Sequence, residues 1–434
     1  MDKVLEIIER KLLPPLTKLA ELRHLQAVRD GIISTMPMIM IGSFFVLLVQ
    51  FPIPAWKSLI APISTELMFP YRITVGMMAI YASYGMGSIL AKSYGLDRTS
   101  GGVISLGAFL MTVLPQIATS EATGSSLGFV IPMTYLGGSG MFTAILCMIF
   151  SVEVLRFCKT HNITIRMPEQ VPPAVSRSFE AIIPGMIVIT VVWFVSAILK
   201  INVNEVLMGL FSPLVAIAGN TYLGVIIPVL LITILWSAGI HGVSVIGSVI
   251  RPIWLVLLEQ NITAVANGQV APNIGTEGFF DLFVWIGGSG GTLALCILFL
   301  FAKSSYLKEI GKLSIVPGIF NINEPIIFGA PIVVNPLLAI PFILGPAITT
   351  TITYIAMKFE LVAKVSVVAP FAIPAPIKAF ISTGGDWRGI VLVLINFAIS
   401  LLIYWPFVKA YDKKMLAEEQ LTNSETFDIV NGIE

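Results

Sequence analysis

Apolar runs follow one another through this chain almost from end to end, and that succession decides what it can fold into. The first covers about 27–50, entered through Arg29 and Asp30, and others lie near 73–92, 100–118, 139–157 and 181–200. A second set occupies 221–240, 243–260, 279–302, 326–357 and 365–408. As a helix, a run of about 20 apolar residues matches the hydrocarbon thickness of a bilayer. The last two runs are proline-rich and too long for one span each, so they could hide re-entrant hairpins. With 56% hydrophobic and only 12% charged residues, the chain could not keep a soluble surface wet. The expected fold is an all-α membrane protein, with about ten transmembrane helices plus re-entrant hairpins and interfacial amphipathic helices. A formal net charge of +1 removes the basic excess on which nucleic-acid binding rests, so no nucleic acid is expected as a partner.

Lys and Arg orient the spans, because positive residues collect on the cytoplasmic side. The N-terminal segment carries Lys3, Arg10, Lys11, Lys18, Arg23 and Arg29, whereas 119–138 and 260–278 have neither residue type. Lys303, Lys308, Lys312, Lys409, Lys413 and Lys414 mark further internal stretches. The chain is expected to cross a bacterial cell (inner) membrane many times, with both termini in the cytoplasm. The opening residues interleave charge and apolar side chains at helical spacing, as an amphipathic helix on the membrane face does. The polar breaks give four regions: an N-terminal transmembrane half (1–200), an interfacial linker helix (201–220), a C-terminal transmembrane half (221–410) and a cytoplasmic tail (411–434).

Ionisable residues at membrane depth are costly, so each calls for a reason. His241 ends an apolar run in Gly239-Ile240-His241-Gly242. Its imidazole can donate and accept hydrogen bonds near neutral pH, and Gly242 lets a ligand approach the backbone. A buried histidine bonded to a carbonyl is the plainer alternative. Glu324 stands in Asn321-Ile322-Asn323-Glu324-Pro325, where an apolar run begins. The proline biases Glu324 towards an extended backbone, a polar tip dipping into a cavity. Its carboxylate can accept a hydroxyl hydrogen bond or take the proton; a helix N-cap region among headgroups is the alternative. Asn321, Asn323, Asp281, Glu277 and Trp387 complete the candidate set, Trp387 as a sugar platform or an interfacial anchor. Arg251 and Asn273 remain open, and His24 and His161 read as surface residues.

No phosphate-binding Gly-x-x-x-x-Gly-Lys-Ser/Thr loop, metal-ligand cluster or Ser/His/Asp arrangement occurs, so neither metal nor cofactor is expected. Cys147, Cys158 and Cys296 show no pairing pattern. Tyr135-Leu136-Gly137-Gly138-Ser139-Gly140 is echoed by Trp285-Ile286-Gly287-Gly288-Ser289-Gly290, either as an internal repeat or as two glycine-rich helix starts.

The Asn323-Glu324-Pro325-Ile326-Ile327-Phe328-Gly329 stretch, with Gly239-Ile240-His241-Gly242 and Ser382-Thr383-Gly384-Gly385-Asp386-Trp387-Arg388-Gly389, resembles a known family. It is the membrane component C (EIIC) of sugar-specific enzyme II in the bacterial phosphoenolpyruvate-dependent phosphotransferase system, in the lactose, cellobiose and diacetylchitobiose branch. The resemblance implies a homodimer whose first half dimerises and whose second half holds a disaccharide, cellobiose first and diacetylchitobiose second. It implies that His241 and Glu324 flank the hydroxyl to be phosphorylated. The donor would be the phosphocysteine of component B (EIIB), itself charged by component A (EIIA), and membrane lipid would surround the dimer. About 25 residues follow the last span, so the resemblance implies a donor on a separate polypeptide. Elevator-like movement of the C-terminal half is the expected transport step. The competing readings are an ion-coupled secondary sugar transporter and an intramembrane acid–base enzyme.

Overall fold

The computed structural model describes residues 22–50, 53–120, 124–168, 170–330, 332, 335–369 and 373–431. The amphipathic helix expected over the opening residues lies outside them. Among the described residues, eight helical stretches are long and apolar enough to cross a membrane: Arg23–Val49, Pro54–Ser93, Gly138–Thr160, Val175–Ile198, Val203–Asn220, Gly242–Ala266, Leu337–Lys358 and Arg388–Leu421. Tyr222–Ser237 is a shorter apolar helix. Exposed aliphatic and aromatic side chains such as Leu210, Leu223, Leu394 and Leu402 stud these helices, as a lipid-solvated surface requires.

Two compact units emerge, each with its own packing. The first joins Lys18–Ile217 to Gly247–Val270. It contains α1 (Arg23–Ile33), α2 (Met36–Gln50), α3 (Met78–Ser93), α4 (Arg98–Met111), α5 (Met141–Thr160) and α6 (Ile182–Trp193). Small residues let α3 and α4 approach closely: a Cβ on Gly101 would stand 2.4 Å from the Ala91 methyl. Asp97 caps α4, accepting from the Ser100 amide and hydroxyl, both at 2.8 Å. His24, expected at the surface, is half-buried instead. Its Nε2 lies 2.9 Å from Glu153 Oε1, which also accepts from the Tyr94 hydroxyl at 2.6 Å. The run 100–118 ends early: after α4 comes a two-stranded antiparallel hairpin, β1 (Gln116–Thr119) and β2 (Ser126–Val130), with Ile117 opposite Phe129. It is the one sheet among the described residues of an otherwise helical structure.

α7 (Val203–Asn220) occupies the segment expected as an interfacial linker, and is itself apolar and long enough to span. The second unit joins Ala218–Ile246 to the chain from Ala271 onward. α8 (Tyr222–Ser237) belongs to it, while most of α9 (Gly242–Ala266) belongs to the first unit. The sequence had kept 243–260 with the rest of the C-terminal half. Its packing explains the difference: Glu259 and Val256 fill the notch at Gly137 and Gly138, and the Thr263 hydroxyl lies 2.8 Å from that of Tyr71.

In the second unit full-length helices alternate with half-length pieces. The run 279–302 is not one span. It is α10 (Glu277–Phe283), a glycine loop and α11 (Leu293–Leu300). Positive φ at Gly287, Gly288, Gly290 and Gly291 forbids a continuous helix there. Gly137 and Gly140, their counterparts in the echo, have φ of −89° and −92°, so the two stretches share letters but not backbone. α12 (Ser305–Ile319), α13 (Glu324–Gly329), α14 (Pro336–Lys358), α15 (Ala375–Ser382) and α16 (Arg388–Asn431) complete the unit. α16 runs on through the region expected as a tail. Its Asp412 carboxylate accepts from the amides of Lys303 and Ser304, and its Glu419 from those of Ser305 and Tyr306 and from the Ser304 hydroxyl. Those amides lead into α12, where helix geometry leaves them no backbone partner.

Candidate functional site

The second unit carries every candidate site residue, and its geometry follows from how α12 stops. The Ile322 amide reaches back to the Pro317 carbonyl at 3.0 Å and the Asn321 amide to Gly318 at 3.1 Å. Asn321 itself has φ of +62°. This is the left-handed helix terminus that glycine usually takes and asparagine tolerates. Both ends of the Asn321 amide are then used: Nδ2 donates to the Asp281 carbonyl at 3.0 Å, and Oδ1 accepts from the Gly287 amide at 2.8 Å. Asn323 is buried and donates to the Ser289 carbonyl at 2.8 Å. A Cβ on Gly288 would stand 2.5 Å from Asn323 Cγ, so glycine is required there for space as well as for φ. The two asparagines therefore pin the Asn-x-Asn-Glu motif to the glycine loop.

Glu324 comes next, and it opens α13 instead of extending the chain. Pro325 explains the departure, because its missing N–H costs nothing in a first helical turn. Glu324 is exposed, and among the described residues no hydrogen bond or ion pair engages its carboxylate. One turn on, Phe328 meets the Trp236 ring edge-on at 6.4 Å between centroids. Trp236 also meets His241, with centroids 4.3 Å apart. Trp236 thus touches both His241 and the helix that Glu324 opens. Nδ1 of His241 accepts from the Ser244 amide at 3.1 Å, which assigns the neutral ring's proton to Nε2. His241 is exposed, as the buried alternative required it not to be. The close approach that Gly242 permits is to protein: a Cβ there would sit 2.2 Å from the Ile232 carbonyl oxygen.

Glu277 and Asp281 lie four residues apart on α10, hence on one helical face, opposite the buried Phe279, Phe280 and Phe283. Asp281 forms an ion pair with Lys378 of α15. Trp387 is not gathered with the others by any described contact. It is 65% exposed and lines an apolar groove with Ile352, Ile355, Leu361, Val391 and Ile395. Beside it, burial alone would raise the Asp386 carboxyl. The Arg388 guanidinium and the amides of Ala363 and Arg388 outweigh that and hold it below its ordinary value.

Sequence reasoning missed Trp236, Ser244 and Lys378. Only Lys378 gave a signal: a single charge inside Ala375-Pro376-Ile377-Lys378-Ala379-Phe380-Ile381 needs a partner.

Comparison with known proteins places the architecture. The family described as "Phosphotransferase system, EIIC" matches residues 29–346. The lichenan permease IIC component of Bacillus subtilis (strain 168) is 42% identical over 439 residues, covering 96% of both chains. The cellobiose-specific EIIC component of Geobacillus stearothermophilus is 42% identical over 436 residues, covering 97% of both. The crystal structure of the transporter ChbC, the IIC component of the N,N'-diacetylchitobiose-specific phosphotransferase system, superposes with a TM-score of 0.89 at 41% identity. It covers 95% of this chain and 99% of that one.

Proposed function

The chain belongs to the phosphotransferase system EIIC family of multi-pass membrane sugar permeases, and on that premise we propose that it moves a β-linked disaccharide and presents it for phosphorylation. Cellobiose is the first choice and diacetylchitobiose the second, since relatives named for both are about equally similar. The observation that carries the reading is the turn pinned by Asn321 and Asn323, which leaves the exposed Glu324 carboxylate without a hydrogen bond or ion pair among the described residues, in the unit that also holds His241 against Trp236.

A sugar hydroxyl is a weak nucleophile towards phosphorus, and a carboxylate that takes its proton in the transition state lowers the barrier. In this reading the hydroxyl oxygen forms the new O–P bond while the S–P bond of the phosphocysteine on component B breaks. The hydroxyl proton passes to Glu324, and the thiolate that leaves remains on component B. His241 donates from Nε2 to a neighbouring hydroxyl and fixes the sugar's rotation. Asn321 and Asn323 spend their amides on backbone groups, so they shape the turn. Glu277 and Trp387 are the further contacts offered to the sugar. Component A supplies the phosphoryl group to component B, and the protein works as a homodimer with both termini in the cytoplasm.

Binding by isothermal calorimetry across a disaccharide panel, followed by transfer from phosphorylated component B, tests the proposal. Cellobiose should bind and become phosphorylated only when component B is supplied. Accumulation of unmodified sugar driven by a pH gradient without component B would refute it.

A further inference from the structure

We propose that the far end of α6 holds one anionic phospholipid, its phosphate on Lys200 and its chains along the exposed face of the same helix. α6 passes directly into a π-helical turn, Phe194–Ile198, where the Leu199 amide reaches back five residues to the Phe194 carbonyl at 2.9 Å. Such turns recur at functional positions. Ser196 lies in this one. It is 7% exposed, and its buried hydroxyl has no hydrogen-bond partner among the described residues, a cost in a helix that is apolar enough to span. Lys200 follows with φ of +54°. Glycine is the usual occupant of such a left-handed terminus, so a lysine is kept there against the backbone's preference.

The π turn, the end of α4 and the base of the β1–β2 hairpin border a cavity of about 470 Å³ inside one unit, the size of a small-ligand site. Gln116, Thr134, Tyr135, Ser196 and Lys200 stand on its wall. Among the described residues the Lys200 ammonium and the polar side-chain atoms of Gln116, Thr134 and Tyr135 make no hydrogen bond or ion pair, and no acidic side chain lines the cavity. One cation among neutral donors suits a phosphate diester, whose oxygens accept from all of them. The Ser196 hydroxyl, turned inward about its Cα–Cβ bond, gains the acceptor it lacks. With no acid to meet a second cation, the wall favours an anionic headgroup over a zwitterionic one. The helix below names the source of the phosphate. Ile187, Val191, Phe194 and Ile198 are exposed and recur at helical spacing, and Trp193, also exposed, belongs where lipid meets water. Chains laid on that face bring a glycerophosphate to the cavity mouth, whereas a sugar would leave both the face and the charge unused.

The full-length chain in detergent, stripped of lipid, provides the test. The probes are phosphatidylglycerol, phosphatidylcholine with the same chains, and inorganic phosphate, read by native mass spectrometry and thermal midpoint. The tightest phosphatidylglycerol on each chain should bind about tenfold better than phosphatidylcholine, the order of one charge-assisted hydrogen bond. Lys200→Gly and Lys200→Asn should each lose that tenfold without lowering the lipid-free midpoint, because both residues accept a positive φ, and Lys200→Arg should keep it. A photoreactive phosphatidylglycerol should label residues 187–198 in the wild type and not in the glycine variant. Phosphatidylcholine bound as tightly as phosphatidylglycerol overturns the proposal. So does either neutral variant, once folded, with wild-type affinity. Equal stabilisation by inorganic phosphate would assign the cavity to a free anion, and a neutral variant that splits a wild-type dimer would assign it to a protein contact; each overturns the lipid.

Discussion

At the residue scale the motif divides its labour. Among the described residues Glu324 has no hydrogen-bond or ion-pair partner, while Asn321 and Asn323 are consumed by the backbone around it. Glu324→Gln should therefore keep the thermal midpoint and sugar affinity but nearly abolish phosphoryl transfer, because Gln retains size and hydrogen bonding yet cannot take a proton. Rapid-quench measurement of sugar phosphate with component B checks this; a rate near wild type removes Glu324 from the chemistry. His241→Ala should weaken cellobiose binding about tenfold, the order of one lost polar contact, and calorimetry reads it directly. Asn321→Ala should lower stability by about 2 kcal/mol, through the lost amide bonds and an unfavourable positive φ, whereas Asn321→Gly should recover the backbone share. Equal losses in the two variants would show that the φ of +62° carries no cost. Which residues mattered was partly legible. His241 and Glu324 stood out because charge and imidazole are rare beside apolar runs. Lys378 stood out as a lone charge in an apolar stretch, but its pairing with Asp281, like that of His24 with Glu153, was not legible, because these partners lie 97 and 129 residues away and proximity of that kind leaves no local trace.

At the scale of elements, apolar length was a sound guide wherever the chain stays helical. It misled where glycine and proline cut the run. The stretch 279–302 has the hydropathy of one span, but four glycines at positive φ divide it into α10, a loop and α11. Hydropathy averages over such a loop, and only the Gly-Gly-Ser-Gly letters hinted at it. The hairpin of β1 and β2 was hidden for another reason: it borrows the apolar end of the run 100–118 for cross-strand pairing. Caps were more regular. Asp97 opens α4, and burial, which alone would raise its carboxyl, is outweighed by the Ser100 amide and hydroxyl and by Arg177. Its carboxyl is thus held below the ordinary value. A depressed pKa adds stability that is present above the unfolded value of about 4 and is lost as pH falls through the folded one. Asp97→Ala should cost about 1 kcal/mol at neutral pH and progressively less on acidification. Thermal scans across that range check the slope; a constant difference would exclude the charge.

At the scale of the whole molecule, the all-helical membrane class and the family could be read from the sequence. The boundary between units could not, because α9 looks like any other apolar helix and its allegiance is decided by the notch at Gly137 and Gly138. That allegiance sharpens the transport proposal. The part that carries the sugar would comprise 218–246 and the chain from 271, with most of α9 left behind. Spin labels at two exposed sites within the second unit, such as Phe328 and Trp387, should keep one separation in inward and outward states. Pairs that cross from one unit to the other should give two. A changed separation inside the second unit would exclude movement as one body.

The contact between α16 and residues 303–306 has a practical side. Asp412 and Glu419 lie past the apolar part of the last helix, in a stretch that a designer would trim as expendable. Cutting there would strip four backbone amides of their acceptors at the very start of the helix that leads to Asn321. For anyone attaching a reporter or shortening the protein for crystallisation, the working end of the chain is after Glu419, not where the hydrophobic residues stop.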